Sequence, residues 1–434
     1  MGEKNRVKKN ERTVPTERRS TGLAVGVQFP KTTEEELNIS LEELERLVST
    51  LGATVVEKFI QKRTRPESAT FIGTGKAEEI GLRAKELECE FVAFDDELTG
   101  TQLKNLEKIM KCKVMDRTSI ILDIFSRHAR TKEAKVQVEL AMLEYLSTHL
   151  TRRWTHLERQ KGGIGLKGVG EKQIELDRRM IRSKISLLKK DLEHMARERA
   201  TQRLHRDKFL RVAIVGYTNA GKSTLMNALT DSEVFVDDRV FATLDPTVRV
   251  IDPKTRPPIL LSDTVGFISK LPHDLVASFR STLQEVLEAD MLLHVVDLSA
   301  VNFNDQMEVT KAVLDEIGAG DKPSVLVFNK ADLVKEAFLP KVLERRYFDS
   351  AVVSSFRPED MKKLRNVIYA FFERAMIDLE VTIPYTNSWL QSQIHEYAKV
   401  MKKEYLEEGT RFQIRIMKAS ADWLKIADDS KTIV

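Results

Sequence analysis

The stretch GYTNAGKS carries the clearest chemical signal in the sequence. Two glycines enclose four residues, and Lys222 and Ser223 follow directly. In this spacing, backbone N–H groups surround the phosphates of a nucleotide, the lysine ammonium reaches the outer phosphates, and the serine hydroxyl is a ligand for magnesium. The sequence therefore predicts a phosphate-binding loop. Its predicted nucleotide contacts are Gly216, Tyr217, Thr218, Asn219, Ala220, Gly221, Lys222, Ser223 and Thr224.

The stretch VLVFNKADL indicates which base the nucleotide carries. An apolar strand is expected to end at Asn329, and Asp332 follows shortly after it. A carboxylate accepts from both the ring N–H and the exocyclic amino group of guanine, whereas adenine lacks that pair of donors. Because a site built on such hydrogen bonds rejects the wrong analogue by roughly 10⁴-fold or more, GTP is favoured over ATP. The predicted base contacts are Asn329, Lys330, Ala331, Asp332, Ser354, Ser355 and Phe356.

Two further stretches are predicted to sense the third phosphate. In LLSDTVGF, Asp263 would hold magnesium through water, and the Gly266 amide would meet the γ-phosphate. In FATLDPTVR, Thr243 is the expected second hydroxyl ligand of magnesium, and Thr247 is the competing candidate. The predicted catalytic residues are Lys222, Thr243 and Gly266, and the predicted magnesium ligands are Ser223, Thr243 and Asp263. The other predicted contacts in these stretches are Phe241, Ala242, Leu244, Asp245, Thr264 and Val265.

The elements that must position these motifs follow from the hydrophobic pattern. A strand-loop-helix pattern begins at Arg211, and strand-like runs separated by helical patterns follow before about Ala375. This alternation predicts a mixed, mostly parallel sheet with helices on both faces, and the phosphate-loop and base motifs within it make residues 209–376 a predicted P-loop GTPase domain. Beyond Asp378, LEVTIPY, a helix around WLQSQIHEYAKVMKKEYL, and RFQIRIM predict a small α+β appendage at residues 377–434.

Upstream of the phosphate loop, β-rich runs such as GLAVGVQF and EFVAFDD alternate with helical patterns. They predict an α/β domain with a parallel sheet at residues 21–130, preceded by a mobile basic tail at residues 1–20. Within this domain, Gly73 and Gly75 of FIGTGKAEEI precede a helix whose first turn is able to hold an anion. A second nucleotide site and a plain helix-capping turn are both open for this stretch.

Residues 131–208 are predicted to form a helical hairpin closed by a glycine-rich loop. Its apolar residues recur at the spacing of two facing helices. The loop RQKGGIGLKGVGEKQ interleaves glycines with Lys161, Lys167 and Lys172, and residues 151–210 hold 17 lysines and arginines against 8 aspartates and glutamates. Such an excess favours contact with RNA phosphates, and a flexible linker or a solvated helix face is the alternative. The seam residues are Val136, Leu140, Leu143, Leu150, Ile181, Ile185, Leu188, Leu192 and Met195.

Length and composition set the remaining bounds. A chain of 434 residues with 42 % hydrophobic content is able to bury more than one core. Cys89 and Cys112 lack the spacing of a metal or redox motif, which favours a reducing compartment. No apolar run has the length of a membrane span, and the amino terminus lacks the apolar core of a secretion signal. We therefore expect a cytoplasmic protein without membrane insertion, and a monomer, because the seams can pair within one chain.

Together, GYTNAGKS, FATLDPT, DTVGF and NKAD, preceded by GGIGLKGVGEKQIELDRR, resemble the HflX branch of the Obg-like translational GTPases. The resemblance covers nearly the whole chain from about Leu23, and the glycine-rich block is its most specific part. It implies a GTPase that binds the large ribosomal subunit, with members that split stalled or idle ribosomes under stress. Some members also bind ATP through the amino-terminal region, which supports a weak ATP site at Gly73 and Gly75. The chain departs from the common pattern at Leu166, Lys167, Val169, Lys172 and Ser355.

Phe267 stands where a nucleotide hydrolase is expected to carry a water-orienting side chain. A phenyl ring cannot orient water by hydrogen bonding, so the sequence predicts slow basal hydrolysis that a partner accelerates. Three suppliers of the missing group are open: the ribosome, the amino-terminal half through Arg152 or Arg153, and a potassium ion. Asn219 resembles the asparagine that helps to hold potassium in other GTPases, and the alternative is that Asn219 only stabilises the loop turn.

The leading functional hypothesis is a GTPase that grips ribosomal RNA through its basic hairpin in the GTP-bound form and lets go after hydrolysis. It would split or rescue stalled or idle ribosomes under stress. The alternatives are a ribosome-assembly GTPase, an ATP-dependent RNA remodeller whose GTPase domain is regulatory, and a signalling GTPase that uses the hairpin as a coiled-coil surface for proteins.

Overall fold

A computed structural model describes residues 20–149, 169–203, 209–230, 241, 247–252, 255–270, 283–336 and 338–424. The chain divides into two units, Met1–Arg117 and Thr118–Val434. Much of the predicted basic tail and most of the glycine-rich loop lie outside the described residues. None of the helices in the described ranges combines the length and the apolarity needed to cross a lipid bilayer.

The first unit is a four-stranded parallel sheet with strand order β2-β1-β3-β4, as the sequence predicts. Its core consists of alternating residues of the strands packed against α2 and α3. Thr33 forms a capping box with Glu36 at the start of α1, so helix formation there is encoded locally. The elements are β1 Thr21–Gln28, α1 Glu34–Thr50, β2 Thr54–Lys62, α2 Thr74–Glu86, β3 Phe91–Phe94, α3 Gly100–Met110 and β4 Lys113–Asp116.

A buried ion-pair cluster lies beyond the carboxyl end of β3. Arg117 is only 1 % exposed, and its guanidinium donates to Asp95 at 2.7 Å and to Glu43. Asp95 also accepts from the Ser40 hydroxyl at 2.7 Å. These contacts neutralise charges that water cannot reach, so each member depends on the others.

From Thr118, the second unit contains all but the first residue of α4 Arg117–His128, followed by α5 Lys132–His149 and α6 Val169–Arg203. Helices α5 and α6 pack on each other, and Lys189 pairs with Glu144 at 2.9 Å across them. The predicted seam holds where it is described: Leu140 and Leu188 are buried and Ile185 is half-buried. Leu150 lies outside the described residues. Helix α6 begins at Val169, so the last glycine of the predicted loop is already helical.

A six-stranded sheet with order β10-β9-β8-β5-β7-β6 forms the centre of the second unit. Only β6 runs antiparallel to its neighbour, and separate apolar clusters cover the two faces. This confirms the predicted mixed, mostly parallel GTPase sheet. Its elements are β5 Leu210–Gly216, α7 Lys222–Thr230, β6 Thr247–Val250, β7 Ile259–Asp263, α8 Gln284–Glu288, β8 Met291–Asp297, α9 Phe303–Ile317, β9 Ser324–Asn329, α10 Leu339–Arg346, β10 Ser350–Val352 and α11 Pro358–Ala375.

The carboxyl-terminal part is a three-stranded antiparallel sheet with order β11-β13-β12, which confirms an α+β appendage. The long helix predicted around WLQSQIHEYAKVMKKEYL is wrong in its second half. The helix ends at Tyr397, and Ala398 and Val400 pair with β13, where their side chains join the sheet's apolar face. The elements are β11 Met376–Ile383, α12 Ser388–Tyr397, β12 Ala398–Tyr405, β13 Thr410–Met417 and α13 Lys418–Trp423.

Replacing Arg117 by methionine is expected to destabilise the first unit by about 3–5 kcal/mol, because it leaves Asp95 buried without its counter-charge. Arg83→Met is the matched control. Arg83 is half-exposed and pairs with Glu57 at 2.8 Å on the surface, so its loss should cost less than about 1 kcal/mol. Hydrogen exchange of the β1 and β3 amides measures both changes, and equally small losses would contradict a structural role for the Arg117 cluster.

Candidate nucleotide-binding site

The loop between β5 and α7 approaches its neighbours too closely for side chains at its two glycines. Gly216 has φ +149°, and a Cβ there would lie 2.2 Å from the Val295 carbonyl oxygen. Gly221 has φ +87°, and a Cβ there would lie 2.4 Å from Asn329 Nδ2. Both positions therefore need glycine for space as well as for backbone conformation. The spacing read from the sequence reflects contacts with strands far along the chain.

Lys222 is buried at the start of α7. Its ammonium donates to the Tyr217 carbonyl oxygen at 2.7 Å and to the Gly216 carbonyl oxygen at 3.1 Å. Burial lowers the pKa of Lys222 to about 8, while the negative charge of Asp263 opposes the shift. Phosphate oxygens beside the ammonium would favour its charged form. Lys222 is thus a buried cation held by loop carbonyls at the place where phosphates are expected.

Ser223 and Asp263 meet, as predicted for a magnesium site. The Ser223 hydroxyl donates to Asp263 Oδ2 at 2.6 Å. Hydroxyl and carboxylate oxygens are the hard ligands that magnesium prefers, so the pair fits that ion. Thr247 lies directly opposite Asp263 in the β6–β7 ladder. Thr243 lies outside the described residues, and the choice between the two threonines stays open.

The side chain of Asn329 joins the phosphate loop to the base loop. Its Nδ2 donates to the Ala220 carbonyl oxygen at 3.0 Å, and its Oδ1 accepts from the Ser355 hydroxyl at 2.9 Å and the Ser355 amide at 3.3 Å. The serine that stands where the family usually has alanine therefore adds a hydrogen bond to this junction. Asp332 is exposed and able to receive a base.

The remaining predicted base contacts lie in the two loops that follow β9 and β10. Lys330 donates to Asp297 at 2.7 Å, which fixes the turn leading to Ala331. Ser354 is fully buried, and its amide donates to Asp360 at 2.9 Å. Phe356 is 79 % exposed. The structure thus brings the predicted base-binding segments together at the carboxyl ends of β9 and β10.

Phe267 points away from the phosphate loop. Its ring is 2 % exposed and packs in an apolar cluster with Val215, Leu292 and Val313. Its backbone pairs with the phosphate loop, because the Phe267 amide donates to the Gly216 carbonyl oxygen at 3.1 Å and the Thr218 amide donates to the Phe267 carbonyl oxygen at 2.7 Å. Phe267 therefore anchors the segment that follows β7, residues 264–270, which is called the switch segment below. The sequence predicted only that the Phe267 ring does not orient water, and it did not predict that this residue anchors the segment.

Of the other residues predicted to lie near the third phosphate, only some fall within the described part of the chain. Thr264 is buried, and its hydroxyl donates to the Ile214 carbonyl oxygen at 2.6 Å, so it supports the strand end. Val265 is also buried. The Phe241 ring is buried and packs edge-on against Phe125 with centroids 4.6 Å apart, so its side chain is part of the apolar core. Ala242, Leu244 and Asp245 lie outside the described residues.

Two secondary hypotheses gain no support. Asn219 has φ +60°, a conformation that asparagine tolerates well, which accounts for this residue by the turn alone. The Gly73 amide at the start of α2 donates to Gln61 Oε1 at 3.0 Å, so this donor already has a partner. Gly75 lies inside the first turn of that helix. The geometry favours the capping turn over an anion site at FIGTGKAEEI.

Sequence reasoning missed His294, in the middle of β8. Cross-strand pairing places it opposite Val215, on the face where Phe267 packs. Burial, and secondarily the charge of Lys222, lowers the pKa of His294 to about 4. Its Nε2 has no hydrogen-bond partner among the described residues. A single histidine inside the apolar run MLLHVVD was the only available signal.

The fold and this site define a P-loop GTPase. Three protein-family models match the chain: "GTP-binding GTPase N-terminal" at residues 38–126, "GTP-binding GTPase Middle Region" at residues 128–206 and "50S ribosome-binding GTPase" at residues 211–330. The chain belongs to the GTPase HflX family. It binds guanine nucleotides and hydrolyses GTP.

Similar proteins named GTPase HflX cover most of the chain. The protein of Flavobacterium psychrophilum is 53 % identical over 72 % of this chain and 76 % of its own length. The protein of Gluconacetobacter diazotrophicus is 42 % identical over 93 % and 96 %, and that of Escherichia coli is 39 % identical over 91 % and 93 %. A solved GTP-binding protein of Sulfolobus solfataricus in complex with GDP is 24 % identical over 81 % and 98 %, with a TM-score of 0.43. These comparisons support neither a potassium ion nor an ATP site.

The buried His294 is expected to make the fold sensitive to acid. Its folded pKa lies below the ordinary value of 6.5, so the unfolded chain takes up this proton first as the pH falls. Stability is therefore lost between pH 6.5 and about 4, by up to roughly 3 kcal/mol. His294→Leu should remove that part of the loss in urea unfolding followed by circular dichroism. The exposed His395→Gln serves as control, and the same pH slope in wild type and His294→Leu would contradict a buried neutral imidazole.

Proposed function

We propose that this GTPase binds the large ribosomal subunit in its GTP-bound form and separates stalled or idle ribosomes under stress. The observation that carries the proposal is the cationic hairpin attached to a guanine-nucleotide switch. In its described part, α6 exposes Arg178, Arg179 and Arg182. The glycine-rich loop that precedes α6 adds further lysines. Charges of this kind suit a phosphate backbone, and the description "50S ribosome-binding GTPase" of the matching family model agrees with it.

The nucleotide chemistry follows from the residues of the site. Magnesium would be held by Ser223 and Asp263 together with Thr243 or Thr247, and it would neutralise charge on the outer phosphates. Lys222 would bind the same phosphates through its ammonium, and the Gly266 amide would donate to the third phosphate. Catalysis of phosphoryl transfer rests on such positioning and charge neutralisation rather than on covalent chemistry.

Slow basal hydrolysis is part of the proposal. Phe267 is buried in the sheet's apolar cluster and supplies no polar group to the attacking water. A partner that orders the switch segments and completes the charge clamp would raise the rate by roughly 10³- to 10⁵-fold. The large ribosomal subunit is the partner that both the hairpin and the family description favour. A role in subunit assembly shares this docking and is the second candidate, because the same cationic surface would serve it.

Guanine selectivity is expected to depend on the Asp332 carboxylate. Asp332→Asn removes the acceptor for the guanine N–H groups and adds a donor that suits a base with a carbonyl at that position. GTP affinity should fall by roughly 10²- to 10⁴-fold, the worth of two charge-assisted hydrogen bonds, while xanthosine triphosphate gains affinity. Competition with a fluorescent guanine nucleotide measures both. Asp321→Asn, at an exposed loop position, is the control, and an Asp332→Asn protein that keeps its preference for GTP would refute this base-pocket assignment.

The docking proposal is tested by co-sedimentation of the full chain with separated ribosomal subunits. Binding to large subunits is expected with a non-hydrolysable GTP analogue and not with GDP. It should weaken steeply as salt rises, because phosphate contacts release counterions. Lys222→Ala should abolish it by weakening nucleotide binding.

Charge variants test whether binding depends on the lysines of the hairpin or on the positive charge of the protein in general. Substitution of Lys161, Lys167 and Lys172 by glutamine should weaken large-subunit binding at least tenfold. The same change at the exposed Lys335, Lys341 and Lys362 of the GTPase domain should leave it within twofold. Equal binding in GDP and the GTP analogue, or equal effects of the two triple variants, would count against the proposed switch and docking element.

A further inference from the structure

The carboxamide of Asn329 is held in one orientation by its backbone partners. Its Nδ2 donates to the Ala220 carbonyl oxygen at 3.0 Å, and its Oδ1 accepts from the Ser355 amide at 3.3 Å. Because a carbonyl only accepts and an amide N–H only donates, these two contacts determine which end of the carboxamide faces which loop. The Ser355 hydroxyl adds a second donor to Oδ1 at 2.9 Å. Ser355 thus supplies two hydrogen bonds to one oxygen of a side chain that is only 2 % exposed.

The backbone amides on either side of Ser355 are committed within the base loop, the loop that follows β10. The Ser354 amide donates to the Asp360 carboxylate at 2.9 Å, and the Phe356 amide donates to the Ser354 hydroxyl oxygen at 3.4 Å. The Ser355 amide differs from both, because its acceptor on Asn329 keeps the shorter bond from the Ser355 hydroxyl if the amide is released. Of these three donors, the Ser355 amide is therefore the one that a ligand recruits at the lowest cost.

We propose that Ser355 is a positioning residue whose hydroxyl holds Asn329 while its backbone amide turns to the carbonyl oxygen of the guanine base. The inference rests on the proposed place of Ser355 in the base pocket. When the base carbonyl accepts from the amide, Oδ1 of Asn329 retains the hydroxyl, and the carboxamide stays joined to both loops. With alanine, which the family usually has at this position, the same exchange leaves a buried Oδ1 without its donors from residue 355, and binding is weaker.

Ser355→Ala removes the hydroxyl, whose hydrogen bond goes to Asn329. The affinities for GDP and for a non-hydrolysable GTP analogue are both expected to fall about three- to tenfold, the size of one ordinary hydrogen bond. Displacement of fluorescent GDP from the full chain measures each affinity. Ser350→Ala is the matched control, because the Ser350 hydroxyl lies in the preceding strand and donates to the Tyr347 carbonyl oxygen at 2.7 Å. This control should leave both affinities within about twofold of wild type.

The identity of the base gives a readout that a merely structural role would not move. Inosine diphosphate keeps the carbonyl and lacks only the exocyclic amino group, so Ser355→Ala should weaken its binding as much as that of GDP. In 6-thioguanosine diphosphate, sulfur replaces the carbonyl oxygen, and sulfur is a weak acceptor that does not recruit the amide. The affinity for this nucleotide should therefore differ by less than about twofold between wild type and Ser355→Ala.

Ser355→Cys is a second variant, because it keeps the volume of the side chain and offers Asn329 only a weak donor. It should show the same dependence on the base. Unchanged GDP affinity in either folded variant would overturn the inference. An equal loss for GDP, inosine diphosphate and 6-thioguanosine diphosphate would overturn it as well, because the hydroxyl would then only stabilise the loop. Failure of the proposed base pocket looks different, since Asp332→Asn would then keep its preference for GTP whatever residue stands at position 355.

Discussion

The buried carboxamide of Asn329 is the contact on which the rest of the site depends. It donates to the phosphate loop at Ala220 and accepts from Ser355 in the base loop, so one side chain fixes the distance between the two segments. Its Nδ2 also lies where a side chain at Gly221 would have to be. Gly221 of the phosphate loop therefore has to lack a side chain so that Asn329 of the base motif can occupy this position. Three segments distant in sequence are thus joined into one cradle through Asn329.

The two sides of the cradle are held by different means. Side-chain hydrogen bonds of Asn329 join the phosphate loop to the base loop. The phosphate loop is joined to the switch segment by two backbone hydrogen bonds and by a bond from the Ser269 amide to the Tyr217 hydroxyl. The buried Phe267 ring anchors that segment and itself supplies no water-orienting group. The base loop and the switch segment are thus both joined to the same phosphate loop.

Local signals sufficed for much of the fold. Alternating apolar runs and capping residues predicted the parallel sheet of the first unit, and the strand-loop-helix pattern predicted the GTPase sheet. These predictions succeed because helix and strand periodicities are properties of neighbouring residues. The pattern failed at β12, where a sequence with helical character forms a strand because β13 offers it a partner edge and an apolar face. Pairing across the chain overrode the local preference.

By itself, the sequence determined that the chain is a GTPase, and it predicted a phosphate loop, a guanine-selecting carboxylate and an acidic switch residue, since each depends on residue types at short spacing. Only the tertiary structure decided that the Phe267 ring enters the core, that the Tyr217 hydroxyl reaches Ser269, and that His294 is buried near Lys222. It also decided that Arg117 is neutralised by Asp95. Burial and pairing depend on partners tens of residues away, and no local pattern along the chain encodes which residues will meet.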